Sequence, residues 1–227
     1  MNQDKHGFLL INKPVGPTSH DMVDKLRKIT KIKKIGHAGT LDPFADGLLI
    51  MAVGRQATKC INEFVKLDKR YVATLKLGAE TDTYDSEGKI TKEYDKKDLE
   101  KEELMSVLKK FVGKQKQVPP MFSAKKKKGK KLYELARARE IVEREAISIE
   151  VFSIDLLEYD NEHIKIEVHS SSGTYMRSLA FDIGRALGVG AYLINLTRTA
   201  IGPYSLDKAI NIKSLNHENW TQKLFKN

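Results

Sequence analysis

The sequence predicts a mixed α+β fold in one domain, with helices packed on a largely antiparallel or mixed sheet. Three observations carry this. Several short segments alternate apolar and polar residues with period two, and others repeat apolar residues at helical spacing. Successive strand segments are joined by turns too short to hold crossover helices, which argues against a doubly wound parallel sheet. A chain of 227 residues suits one large domain, or one domain with a small appendage, and neither a repeat nor a Gly/Ser linker divides it.

Taken in order, Leu9-Leu10-Ile11 reads as a short buried strand closed by Lys13-Pro14-Val15-Gly16-Pro17. Thr18 or Ser19 can then cap a helix with Met22, Val23, Leu26 and Ile29 on one face. Residues 48–53 are apolar and strand-like and end at Gly54. A helix follows with Ala57, Ile61, Phe64 and Val65 inward, and Cys60 falls in the same pattern as a small buried hydrophobe. Tyr71, Ala73, Leu75 and Leu77 alternate with Val72, Thr74 and Lys76 and mark a strand. Residues 98–112 read as a helix bearing Leu104, Leu108 and Phe111. Ile147, Ile149, Val151, Ile154 and Leu156 mark a strand, Asp160-Asn161 a turn, and Ile164, Ile166 and Val168 the paired strand. Residues 177–187 form a helix stopped by Gly188.

Composition narrows the function. Hydrophobic residues make up 41%, enough for a real core, and no apolar stretch approaches the ~20 residues of a membrane span. The apolar run after the first residues is too short for a signal sequence and lacks a cleavage site, so a cytoplasmic location is expected. A single cysteine excludes a disulfide within the chain and a cysteine zinc site. The net charge of +10, from 40 basic and 30 acidic residues, suits a polyanionic partner, although a lysine-rich coding bias gives the same balance.

Four segments carry candidate chemistry. Gly36-His37-Ala38-Gly39-Thr40-Leu41-Asp42-Pro43 sits between a helix and a strand. Its glycines allow positive φ and close approach, and Pro43 keeps the preceding residue extended, which fixes where Asp42 points. A carboxylate presented this way suits a nucleophile or base; on the residues alone, turn chemistry explains it equally well. Ser170-Ser171-Ser172-Gly173-Thr174-Tyr175-Met176-Arg177 enters a helix without P-loop spacing. Arg177 reads either as a solvated helix residue or as a cation that holds a buried carboxylate ionised. Residues 114–131 hold eight lysines and no acid around Pro119-Pro120-Met121-Phe122, followed by an amphipathic helix start at 132–137. That suits a solvated charged face, or an arm folding over a phosphate backbone. Glu80 to Gly88 is acidic but fails calcium-loop spacing and reads as a polar turn, with a supporting role at a site as the sharper alternative. The six histidines form no HExxH pair.

Together these segments resemble the TruB family of bacterial tRNA pseudouridine synthases. The resemblance runs through Lys13-Pro14-x-Gly16-x-Thr18-Ser19, the Gly36 to Pro43 loop with Ala45, Gly47 and Leu48, and Lys69-x-Tyr71-x-Ala73. It continues through Thr81-Asp82-Thr83-x-Asp85, Gln117-x-Pro119-Pro120-x-Phe122-Ser123-Ala124 and Gly129-x-x-Leu132-Tyr133, and closes with Gly173-Thr174-Tyr175-x-Arg177 and Leu196-x-Arg198-Thr199. It implies a pseudouridine-synthase-like fold. It also implies conversion of uridine 55 in the tRNA T loop to pseudouridine, with no metal or organic cofactor. Asp42 matches the nucleophile, Arg177 the cation paired with it, and Tyr71 the tyrosine that stacks on the flipped base. His37 matches the residue that fills space left in the RNA loop. Tyr175 and Leu196 match the uridine pocket, and Lys130 lies in the arm expected to contact substrate. Lys13 and Pro14 match a motif supporting the catalytic loop.

The resemblance implies a catalytic domain over residues 1–210, with the basic arm inserted at about 114–145 and closing on the T stem-loop. Residues 211–227 are expected to be a short tail, too small for the PUA-type domain many relatives carry, and the chain is expected to act as a monomer. Asp46 stands where a neutral residue is more usual; it is expected to face away from Asp42, since a close second acid raises a carboxyl pKa. Two other functions fit parts of the pattern: an RNA chaperone using the same surface, and a metal-dependent nuclease built on Asp42, Asp46, Asp82 and Asp85.

Overall fold

The computed structural model describes residues 5–95, 98–122, 126–127, 130–131 and 144–226. Along the chain run β1 (Gly7–Lys13), α1 (Ser19–Thr30), β2 (Ile35–Ala38), β3 (Asp46–Val53), α2 (Arg55–Lys66), β4 (Lys69–Leu77), β5 (Ala79–Thr81) and β6 (Ile90–Glu93). Then come α3 (Lys101–Lys110), β7 (Gly113–Gln117), β8 (Lys126–Lys127), β9 (Lys130–Lys131), β10 (Ile147–Tyr159) and β11 (His163–Ser170). The chain finishes with α4 (Met176–Ala186), β12 (Ala191–Ile201), β13 (Tyr204–Ser205), β14 (Ile210–Asn211) and short 3-10 turns as far as Lys223. The residues form two compact units, one of 1–71 with 196–227, the other of 72–195; the chain passes between them within β4 and within β12.

In the first unit β3 is central. It pairs antiparallel with β1 and β2 and parallel with β12, and β1 takes β14 parallel. All of β3 from Gly47 to Val53 is buried because both of its faces are covered. On one face Leu9, Ile11, Leu49, Met51 and Val53 pack with Met22, Val23 and Leu26 of α1 and with Trp220. On the other, Phe8, Leu48, Ile50 and Ala52 pack with Ala57 and Phe64 of α2 and with Ile201. Residues 210–226 belong to this core: Trp220 is fully buried, and Phe225 exchanges backbone hydrogen bonds with Phe8. In the second unit the strand order is β4-β11-β10-β7, with antiparallel β10–β11 and β10–β7 pairs, and β5–β6 form a separate ribbon.

The fold is the expected α+β with mixed pairing, and most elements stand where the periodicity placed them. Thr18 is the N-cap of α1, in a capping box with Asp21, and Asn161 makes the β10–β11 turn at φ 65°. Three expectations need correction. Cys60 is exposed, because α2 buries only the stripe through Ala57 and Phe64. Val65 of the same helix is 36% exposed, since it sits one residue past that stripe. The helix expected over 98–112 is shorter, beginning at Lys101. The first residues of the lysine-rich segment form β7, an edge strand held by backbone bonds to β10. The helix start expected at 132–137 lies outside the described residues.

Candidate active site

Asp42 lies in the first unit, on the turn between β2 and β3. Short-range chemistry fixes this turn almost residue by residue. The Thr18 capping box makes Ser19 the first residue of α1. The buried Ser19 hydroxyl accepts from the Leu41 N–H at 2.8 Å and donates to the Leu41 carbonyl at 3.0 Å. The Gly16 N–H donates to the Pro43 carbonyl at 2.8 Å, and the Ala45 N–H to that of Asp42 at 3.2 Å. Gly39 and Gly47 take φ of +83° and +105°, which an L side chain rarely adopts. The backbone on either side of Asp42 is therefore tied to the start of α1 and the segment leading into it.

Buried cations surround this scaffold. Lys13 is fully buried, and its ammonium donates to the carbonyls of Pro14 at 2.9 Å and Pro17 at 2.8 Å, which shapes the 14–17 turn beneath Pro43. Burial pulls its pKa down to about 8, against the attraction of Asp46 and then Asp42. Lys69 donates to the carbonyls of Val65 at 2.6 Å and Leu67, closing the C-terminus of α2 two residues before Tyr71; burial lowers its pKa to about 8 as well. Tyr71 shares the buried face of β4 with Lys69, Ala73 and Leu75. Burial, and then the charge of Arg198, hold the His37 imidazole below its usual pKa, so it is neutral at pH 7. The buried Nδ1 of His37 and Oδ1 of Asp46 have no hydrogen-bond partner among the described residues.

Arg177 and Tyr175 lie in the second unit, at the start of α4. The side-chain amide of Gln117 accepts from the Tyr175 N–H at 2.8 Å and donates to its carbonyl at 3.1 Å, and Ser178 donates to the Val118 carbonyl at 2.7 Å. The Gln117-x-Pro-Pro motif thus braces the helix start. Arg177, 5% exposed, donates to the carbonyls of Phe122 at 2.6 Å and Thr83 at 3.1 Å and meets buried Asp85 at 3.4 Å. Asp85 is in turn bound by the Thr83 hydroxyl at 2.6 Å and the Glu87 N–H at 3.0 Å. Of the two readings of Arg177, the solvated one is excluded, and a buried carboxylate beside it is Asp85.

Of the residues proposed from sequence, the first unit holds Asp42, His37, Tyr71 and Leu196, and the second holds Tyr175 and Arg177. The backbone of Lys130 is in β9, paired with Lys127; its side chain lies outside the described residues. Sequence reasoning missed Asp85 as the anchor of Arg177, and missed Arg198 as a buried charge. The available signal for Arg198 was a lone charge in an otherwise uncharged strand, whereas Asp85 lies among Glu80, Asp82 and Glu87 and nothing marks it out. Among the described residues no group of three His, Cys, Asp or Glu side chains could hold a metal ion.

The profile of the TruB family pseudouridylate synthase N-terminal domain matches residues 27–176. The chain belongs to the TruB family. The profile of the tRNA pseudouridylate synthase B C-terminal domain matches residues 177–226. The chain is 48% identical to a tRNA pseudouridine synthase B of Protochlamydia amoebophila over 205 residues, 90% of this chain and 78% of that one. It is 44% identical to the protein of the same name from Clostridium tetani over 214 residues, 94% and 74% of the two chains. With these relationships the chain is a pseudouridine synthase, an isomerase. Among solved structures it resembles a chain of a Cbf5-Nop10-Gar1 complex, with a TM-score of 0.73 and 31% identity, covering 94% of this chain and 54% of that one. It also resembles a chain of an H/ACA RNP bound to a substrate RNA containing 2′-deoxyuridine, with a TM-score of 0.68 and 29% identity, covering 92% and 52%. The chain spans about half the length of those two solved chains. No described helix is long and apolar enough to cross a membrane.

Proposed function

We propose that this TruB-family chain converts uridine 55 in the T loop of tRNA to pseudouridine, with Asp42 as the nucleophile. The observation that carries this reading is the Asp42 turn, tied through Leu41 and Pro43 to the segment before α1. A reacting carboxylate must hold one position while RNA enters, and a backbone fixed on both sides of it supplies that preorganisation.

In this reading Asp42 attacks C1′ of the flipped nucleotide. A carboxylate oxygen bonds to C1′ while the N1–C1′ bond breaks, and its electron pair goes to N1. The uracil turns, C5 bonds to C1′, and the carboxylate leaves. Loss of the C5 proton and protonation of N1 complete an isomerisation with no net change in atoms. Addition of Asp42 to C6 of the base is the other route to the same product. Arg177 serves as the cation that keeps the nucleophile ionised, and the Asp85 network holds its guanidinium in a fixed plane. Tyr71 stacks on the flipped base, which recovers part of the few kcal/mol that flipping costs. His37, neutral at pH 7, enters the vacated space without adding charge. Tyr175 and Leu196 line the uridine pocket, and the basic arm at about 114–145, with Lys130, closes on the T stem-loop. The chain works as a cytoplasmic monomer, without metal or organic cofactor.

Tritium release from a T-arm transcript carrying 5-tritiated uridine tests reaction and substrate together. Wild type is expected to release tritium at position 55 only, and Asp42→Asn to bind the RNA and release none. Full release by Asp42→Asn would overturn the role given to Asp42.

A further inference from the structure

Arg198 is 1% exposed, one of the largest fully buried side chains, and it has no part in the chemistry above. Its Nε donates to the Leu48 carbonyl at 2.8 Å and its Nη2 to the Gly39 carbonyl at 3.2 Å. These two carbonyls bracket the segment that carries Asp42: Gly39 is where the chain leaves β2, and Leu48 is in β3 just beyond the turn. A single rigid fork therefore spans the entrance and the exit of the turn.

The backbone of Arg198 is fixed as firmly as its side chain. In the parallel β3–β12 pair, Thr197 stands opposite Asp46 and Arg198 opposite Gly47. A Cβ on Gly47 would stand 2.7 Å from the Arg198 nitrogen, so the approach exists only because residue 47 is glycine. At the other end, a Cβ on Gly39 would stand 3.6 Å from Arg198 Nη1, so guanidinium and turn are already in contact distance. Burying a cation costs several kcal/mol unless it is well bound. The Leu48 and Gly39 carbonyls supply that binding, against repulsion from the buried Lys13 ammonium nearby. The guanidinium reaches the two carbonyls from two nitrogens, Nε and Nη2, held in one plane, whereas a lysine would have to reach both from a single point.

We propose that Arg198 is a positioning residue for the reaction, clamping both ends of the Asp42 turn so that the carboxylate keeps its place as RNA binds. This rests on Asp42 being the nucleophile. Arg198→Lys keeps the charge and can reach one carbonyl; Arg198→Met keeps the bulk and neither bond. The clamp predicts a fall in the single-turnover rate of about 10- to 100-fold for Arg198→Lys, and a larger one for Arg198→Met. Affinity for the T-arm RNA should change by less than about threefold, because a clamp acts on the reacting geometry rather than on uniform binding. Amide exchange should quicken at residues 40–47 and stay unchanged in β1 and α1.

Uniform quickening of exchange across the unit, with an unchanged rate per folded molecule, would make Arg198 a general stabiliser and overturn the proposal. If Arg198→Met does not fold, the rate and exchange pattern of Arg198→Lys decide alone. Asp42→Asn is run beside them. If it is inactive while both Arg198 variants turn over at the wild-type rate, the clamp fails and the nucleophile stands. If Asp42→Asn turns over normally, the reading of Asp42 fails and takes the clamp with it.

Discussion

Replacing Ser19 by alanine removes one oxygen and orphans two backbone groups. The hydroxyl serves both the N–H and the carbonyl of Leu41, at 2.8 and 3.0 Å, from a position 1% exposed. Alanine nearly fills the same space, so little cavity cost enters, and the change isolates the hydrogen bonds. Leaving a buried donor or acceptor unsatisfied costs about 1–3 kcal/mol each. The expected loss of unfolding free energy is therefore about 2–6 kcal/mol if the turn stays where it is. If the turn instead shifts to reach water, part of that loss is recovered, but Asp42, the next residue, moves with it. A displacement of about 1 Å at a reacting group costs on the order of 100-fold in rate. The two losses trade against each other, so they are measured on one preparation: urea denaturation for stability and single-turnover pseudouridine formation for rate. A variant within about 0.5 kcal/mol of wild type, the range of an inert surface change, and equally fast would refute the idea that this hydroxyl holds the turn.

Gly47→Ala forces a Cβ into the Arg198 backbone at φ +105° and should destabilise the first unit by about 2–5 kcal/mol in urea titration; a neutral result would mean β3 and β12 are not in this register. The Glu80 carboxyl is held below its usual 4.5, chiefly by its hydrogen bond from Arg185. The stability this adds is present above that value and lost as pH falls through the lower folded value. The stability gap between wild type and Glu80→Gln should therefore shrink on acidification, and a gap that widens refutes the assignment. Lys13 behaves in the opposite sense to a normal buried ion pair. Between pH 8 and 10.5 the unfolded chain keeps a proton that the folded chain has released, so stability should rise with pH relative to Lys13→Met across that window. The His37 imidazole, followed by NMR, should titrate below 6.5, and a higher midpoint would show a charged partner.

The sequence revealed elements whose side chains obey one period. β4 and β11 alternate cleanly because each has one buried face, β10 alternates only until its register shifts after Val151, and α1 shows its stripe and its cap. β7 and β12 do not. Residues 113–117 are Gly-Lys-Gln-Lys-Gln, with no apolar residue to reveal a strand, and they pair through backbone bonds alone at the sheet edge. β12 mixes Tyr192, Asn195 and Thr197 with a buried Arg198, so its pattern reads as irregular. At the site, Gly39, Pro43 and Asp42 were legible because turn chemistry is local. Asp85 was not, because its pairing with Arg177 joins residues distant in the chain, and no period encodes such a contact. The buried state of Lys13, Lys69 and Arg198 was also hidden, since lysine and arginine are almost never fully buried without a partner.

Those partners share one feature that explains the choice of side chains. Lys13, Lys69, Arg198 and Arg177 each donate to two main-chain carbonyls: Pro14 and Pro17, Val65 and Leu67, Leu48 and Gly39, Thr83 and Phe122. These carbonyls lie in turns, at the C-terminus of α2 and in β3, and a cation supplies them with charge-assisted bonds. A carbonyl carries only partial negative charge and leaves much of a cation's charge uncompensated; for Arg177 the buried Asp85 carboxylate supplies the rest. The two lysines also show the cost, with pKa values drawn down to about 8. A lysine clamp can therefore discharge in mildly alkaline solution, whereas a guanidinium cannot. Arginine, rather than lysine, spans the ends of the Asp42 turn and anchors the start of α4. At those two positions the loss of one proton would release a site residue.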